Sequence, residues 1–287
     1  MKRWLLVLVL ILLLSGVYAL LFSRHSISGS LNAGRTIAAA DRCFMDVTRW
    51  PEWWPKNCGC SYEIGKVSYN DVAVVIRGGS GLWDGHIRLA PLNGDTTVII
   101  WGGSGSGWRT GQLQGCVDTV MVAFRRFVED LRNVYGVNFY RTMSIDSAVL
   151  TLSWFTGVYP STGEIYGRID SLNTYIQSQG ARATDQPWLN VTRMEDGQLR
   201  VTVGYPVNKQ LPRNGRMVMK HFIPYKMMEG DVHGGAAAVE RGFDQMENYR
   251  SDYNVHIVAV PYQLLITDRR AEADTTKWVT RICAPIS

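Results

Sequence analysis

Histidine is scarce in this chain, and its placement gives no sign of a metal. His25, His86, His221, His233 and His256 fall into no HExxH or comparable spacing. Cysteine is as sparse. Cys43, Cys58, Cys60, Cys116 and Cys283 make an odd, scattered set. Cys58 and Cys60 are too close for an ordinary bridge to each other, and no second pair completes a zinc pattern. Structural cysteines, with one bridge at most, are the expectation. The run GGSGSG at 102–107 lacks the GK[ST] of a P-loop and the spacing of a dinucleotide fingerprint, so it reads as turn glycines. There is no GxSxG elbow, and no helix-turn-helix lies upstream. No cofactor is implied, and the signal for an enzyme is poor.

Charge of one sign is also missing as a patch. The formal net charge is +5, but residues 1–140 carry 14 Lys+Arg against 10 Asp+Glu and residues 141–287 carry 16 against 15. Without a basic stripe, a nucleic-acid surface is not expected despite a pI near 9.0. What the chain does have is bulk. Its 287 residues leave room for two domains, 46% are hydrophobic, and 10 Trp with 13 Tyr supply large aromatic cores.

Trp4 to Phe22 is apolar apart from Ser15, Gly16 and Tyr18. Its residues, at ~1.5 Å each, would span roughly 28 Å as a helix, about the thickness of a bilayer core. Lys2 and Arg3 precede it, which predicts a cytoplasmic N-terminus and extracytoplasmic (periplasmic) domains beyond. The alternative is a cleaved signal peptide with Val17-Tyr18-Ala19 at its cut. Leu20, Leu21 and Phe22 carry the run past that point, so the uncut anchor, 1–25, is the expectation.

From residue 26 to 138 the chain reads as strand, two short helices, four strands and a long helix. Asp41 caps a helix that buries Phe44, Val47 and Trp50; Pro51 stops it, and WPEWWP makes a second helical turn. From Cys116 to Tyr135, Val117, Val120, Met121, Phe124, Val128 and Leu131 lie on one stripe. The run IAAADRCFMDVTRWPEWWP followed by GGSGLWDGHIRL resembles the SRPBCC (START-like, polyketide-cyclase-like) helix-grip family. That resemblance implies a sheet wrapped round the long helix with an apolar cavity, which Trp53, Trp54, Trp83, Trp101 and Trp108 would line. The family commonly has six strands after the helices, where four are found here.

Residues 139–287 say nearly the same thing twice. LRVTVGYPV at 199–207 and KWVTRICAPI at 277–286 are both extended runs closing on Pro and an aliphatic residue. Each follows a strand run (Thr142 to Phe155, Arg216 to Met228), an amphipathic helix and another strand. Ser161 and Glu164 form an S-x-x-E capping box at the start of the first helix, whose buried face is Ile165, Ile169, Leu172 and Ile176. The second helix, from about Gly235 to Ser251, buries Val239, Phe243, Met246 and Tyr249. The fold class read from the sequence is therefore α+β: an N-terminal transmembrane helix, a helix-grip antiparallel sheet domain, and a pseudo-two-fold β-α-β-β duplicated domain.

The two-fold frame with GYPV, APIS and PYQLLITD resembles the GyrI-like effector-binding family. The resemblance implies a small-molecule groove between the halves. The family often has a glutamate at the start of the penultimate strand, able to pair with a cation or act as a base. Gln263 stands there in this chain, which supplies hydrogen bonds but no charge. Trp188, Tyr205, Tyr225, Glu229, Tyr262 and Gln263 are the expected ligand-binding residues, with no catalytic set. The expected function is a membrane-anchored binder of a small apolar or aromatic ligand, for sensing or sequestration. A hydrolase using Glu229 and a scaffold for a partner protein are the alternatives.

Overall fold

The computed structural model describes residues 4, 9–16, 18, 24–78, 81–107, 110–144, 148–221 and 224–287. The chain divides into two compact units, Met1–Val134 and Tyr135–Ser287. It is an α+β fold with two antiparallel sheets. The membrane-spanning helix expected near the N-terminus needs correction. The described part of that stretch, Trp4, residues 9–16 and Tyr18, is helical and is labelled α1. Among the described residues no helix is long and apolar enough to cross a membrane. The single-pass topology, and the extracytoplasmic location deduced from it, fall with that helix. The rest of the apolar run lies outside the described residues.

The first unit is a five-stranded sheet with helices on one face. Strand β1 (Arg24–Ala33) leads to helices α2 (Ile37–Phe44) and α3 (Trp50–Trp53). Then come β2 (Cys60–Ser68), β3 (Asp71–Gly78), β4 (Gly81–Asn93), β5 (Thr96–Gly107) and α4 (Thr110–Glu129). The short α5 (Leu131–Tyr135) follows. Sheet order is β1-β5-β4-β3-β2. Val72, Val74 and Ile76 of β3 and Trp83, Ile87 and Leu89 of β4 turn inward at the strand period of two. Leu113, Val117, Val120, Met121, Phe124 and Val128 of α4 are buried with them. Thr36 rather than Asp41 caps α2, its side chain accepting from the Ala39 amide.

Trp53, Trp54, Trp83 and Trp101 are buried; Trp108 lies outside the described residues. Trp50 and Trp83 spend their indole N–H groups on the Phe44 and Ile27 carbonyls, whereas those of Trp53 and Trp101 are buried without a partner. Cys60 and Cys116 form a disulfide tying β2 to α4, while Cys43 and Cys283 are buried free thiols. The GGSGSG run is not a turn. It lies inside β5, paired on both sides.

The second unit repeats strand–helix–strand–strand. The first copy is β7 (Ala148–Thr156), α6 (Thr162–Ser178), β8 (Trp188–Arg193) and β9 (Leu199–Pro206). The second is β11 (Lys226–His233), α7 (Ala236–Asp252), β12 (Tyr262–Leu265) and β13 (Val279–Ile286). Two edge strands, β6 (Tyr140–Met143) and β10 (Met217–His221), complete the sheet order β10-β7-β9-β8-β12-β13-β11-β6.

Matching contacts reveal the two-fold relation. Pro206 pairs with Val149 as Pro285 pairs with Met227. Ala183 bridges Val207 as Ile257 bridges Ile286. The axis passes by the Leu189–Gln263 pair at the sheet centre. Each long strand run expected from the sequence is in fact two strands, β6 with β7 and β10 with β11. The leading strand of each run pairs with the opposite half, β6 on β11 and β10 on β7. This exchange gives each half's outer strand a hydrogen-bonded neighbour, and leaves only short strands at the edges.

Helix α6 begins where the sequence says it should. The Ser161 hydroxyl accepts from the Glu164 amide and Glu164 returns the bond to the Ser161 amide. Ser161→Ala removes one of these caps and is expected to cost about 1 kcal/mol, a fall of roughly 2–4 °C in the midpoint of a domain this size, read by thermal denaturation.

Candidate functional site: a cleft over Gln263

Strand alternation sends neighbouring residues of the central strands to opposite faces. On the helix face, Leu150, Leu152, Leu189, Val201, Val203 and Leu265 form one buried cluster with Ile165, Tyr166, Ile169 and Leu172 of α6. The α6 half of the helix face is therefore packed. The α7 half is not. There a cleft of about 390 Å³ opens between β8, β12, α7 and the loop that joins α7 to β12.

Its walls are apolar: Val191, Phe243, Met246, Ile257, Val260 and Pro261. One wall is fixed by Asn190, whose Nδ2 donates to the Pro261 carbonyl at 2.8 Å, and Asn190 is held in turn by the Thr192 hydroxyl at 2.9 Å. Arg193 and Glu247 also line the cleft. Glu247 is engaged by Arg250 through Nε at 2.8 Å to one oxygen and 2.7 Å to the other. That hydrogen bonding holds its carboxyl below the usual range, so it is an ionised, occupied group.

Gln263 is the unusual member. Its two-fold partner is Leu189, a core residue, and its neighbours on β12 are apolar. Gln263 is only 5% exposed, and its Oε1 is buried without a hydrogen-bond partner. Buried polar atoms are rarely left so, and each exception calls for an explanation. Leaving it unmet costs about 1–3 kcal/mol.

The residues expected to bind ligand do not all meet here. Gln263 and Tyr262 line the cleft. Trp188 and Tyr225 belong to a cluster on the other face of the sheet, with Val149, Met227, Leu264 and Cys283. The Tyr262 ring packs there too, 5.3 Å from that of Trp188. Burial, with a hydrogen bond to Tyr225 among the lesser causes, holds the Tyr262 phenol far above its ordinary range.

Glu229 follows Met227 by two on β11 and so shares that second face. Its Oε1 accepts from the Thr142 hydroxyl at 3.1 Å, and Arg281 stands 3.9 Å from Oε2. Tyr205 is half-buried against the α6 cluster, and burial raises its phenol. The wall residues Phe243 and Met246 were legible only as the buried face of a helix, and Ile257 and Val191 carried no signal. The sequence signals for this site were Tyr262 and Gln263, the latter standing where the resembled family often has a glutamate. Among the described residues no group of His, Cys, Asp or Glu is placed to hold a metal.

No family model matches the chain, and no curated protein does either. Solved structures do show similarity. One is the C-terminal domain of EcmrR, at 12% identity and a TM-score of 0.45, covering 53% of this chain and 98% of that one. EcmrR in its complex with DNA is matched at 11% and 0.47, over 62% of this chain and 68% of that one. SAV2435 bound to tetraphenylphosphonium is matched at 11% and 0.35, over 52% and 93%.

Proposed function

We propose that the second unit binds a small, neutral, mostly apolar or aromatic molecule in the cleft over Gln263, for sensing or sequestration. The observation that carries this reading is the unpartnered Gln263 oxygen at a mostly apolar cleft. An apolar site with few placed polar groups suits a compact ligand, and the polar group fixes its orientation. A ligand hydroxyl or N–H that reaches the amide would relieve the buried oxygen. Phe243 and Met246 supply the surface on which a flat ring can lie.

Catalysis is the weaker reading. Glu229 stands on the opposite face of the sheet, and Glu247 is committed to Arg250, so neither is a base poised over the cleft.

The test is a thermal-shift screen of the full chain against neutral, cationic and anionic aromatic compounds, with tetraphenylphosphonium among them. At 100-fold its dissociation constant a ligand adds about 2.7 kcal/mol, a shift of several degrees. Neutral aromatics are expected to give the larger shifts. Phe243→Ala and Gln263→Leu should each weaken binding at least tenfold, while Glu229→Gln leaves it unchanged. Hits indifferent to both cleft variants would refute the site, and a screen without hits would turn attention to the scaffold reading.

A further inference from the structure

A second feature of this unit is independent of the cleft. Arg269 lies in the long connection from β12 to β13 and is only 6% exposed. Among the described residues no carboxylate pairs with it. Asp268 and Asp170 both go to its neighbour Arg270, at 2.9 and 2.8 Å. What surrounds the Arg269 guanidinium is neutral. Nη2 donates to the Thr280 hydroxyl at 2.9 Å, the Trp278 ring centre lies 5.0 Å from Cζ, and the Tyr159 phenol is near enough to act on the charge.

The frame is held without help from that charge. The Tyr166 hydroxyl accepts from the Arg269 amide at 3.0 Å and donates to the Thr267 carbonyl at 3.1 Å. Trp278 is fixed by its indole N–H, 2.7 Å from the Glu272 carbonyl. Arginine has five N–H donors in a planar fork and does not give up its proton, and the Thr280 hydroxyl uses only part of that capacity. A buried charge without a counter-charge is costly. The fork's remaining donors suit the paired oxygens of an oxyanion. Tyr159, 43% exposed, brings the guanidinium's surroundings to solvent.

We propose that Arg269, with Thr280, Tyr159 and Trp278, forms a binding site for a small free oxyanion, a carboxylate or phosphate group seated on the free edge of the guanidinium. With Arg269 only 6% exposed, the site suits a free ion rather than an anion carried by a large partner.

Full-length protein would be titrated with sodium phosphate and with sodium acetate, against sodium chloride at matched ionic strength. The thermal midpoint and the arginine Nε–Hε resonances would be followed together. We expect a saturable rise in midpoint with at least one oxyanion and a saturable shift of one resonance, assigned by its loss in Arg269→Lys. Arg269→Lys keeps the charge but loses the fork and should bind at least tenfold more weakly; Arg269→Gln should not respond. A response to phosphate alone identifies a phosphoryl ligand and to acetate alone a carboxylate, and either supports the site. No effect beyond chloride overturns it, as does an equal response in Arg269→Gln. Should the glutamine variant fail to fold, the wild-type resonance decides: a saturating shift supports the site, and a fixed resonance refutes it.

Discussion

Gln263→Glu will add a strong pH dependence to the second unit's stability. The side chain is 5% exposed, with no described cation bonded to it. A carboxyl placed there is penalised in its charged form, so its folded pKa rises above the unfolded value of about 4.3. The folded state then keeps a proton that the unfolded state releases. Stability is intact below about pH 4 and falls as pH rises toward the folded pKa, after which it is level. A rise of two to three units corresponds to a loss of about 3–4 kcal/mol at pH 8.

Urea denaturation of parent and variant at pH 4.5 and pH 8 measures this directly. The variant should also gain at least tenfold in affinity for aromatic cations, which would supply the missing counter-charge. Gln263→Leu is expected to go the other way, stabilising the empty protein by about 1 kcal/mol, since it removes an unmet buried oxygen at a position whose two-fold mate is already Leu189. Equal stability of the glutamate variant at both pH values would mean that residue 263 reaches water, and the cleft reading would fail with it.

Local chemistry is what the amino-acid order made legible. Ser161 and Glu164 are three residues apart, so their cap needs no knowledge of the rest of the chain. Ile165, Ile169, Leu172 and Ile176 announce their face by helical spacing alone, and all are buried. The echo of GYPV in CAPI pointed to equivalent strands, and Pro206 and Pro285 do hold matching registers.

Illegible were the features decided by partners distant in sequence. Nothing in MSIDSAVLTLSWF says that its first strand will pair with β11 of the other half. Nor does it follow from composition that Trp188, Tyr225 and Glu229 stand on one face and Gln263 on the other. That depends on strand register, and a slip of one residue would reverse it. Aromatic content suggested a groove lining, whereas the cleft uses Phe243, Met246 and aliphatic residues. The apolar run at the N-terminus was read from its length, its apolar composition and the preceding Lys2 and Arg3, yet among the described residues no helix is long and apolar enough to cross a membrane.

The glycines of β5 give the second large effect, because similar residues in one run face unlike surroundings. Gly103 pairs with Gly85 across β4 and β5. A Cβ at Gly103 would lie 2.4 Å from the Asp84 carbonyl oxygen and 2.5 Å from the Gly85 Cα, both backbone atoms that cannot swing aside. Gly103→Ala must therefore part the two strands or bend one of them. Overpacking costs about 1–3 kcal/mol, and each ladder hydrogen bond lost adds about 1 kcal/mol; we expect at least ~3 kcal/mol in all. At Gly105 the Cβ meets the Ile27 Cδ1 at 2.5 Å, the free end of a side chain that can turn away, and the cost should be smaller. At Gly102 the nearest atom is the Ser28 Cβ at 3.9 Å. Alanine fits there, and by restricting the unfolded chain it should be neutral or stabilise by up to about 1 kcal/mol. The order 102, 105, 103 in increasing damage, read by denaturant unfolding of the three variants, separates a paired strand from a turn. Three equal and small effects would restore the turn reading; a large loss at 103 beside none at 102 means that the glycine is there because two backbones touch.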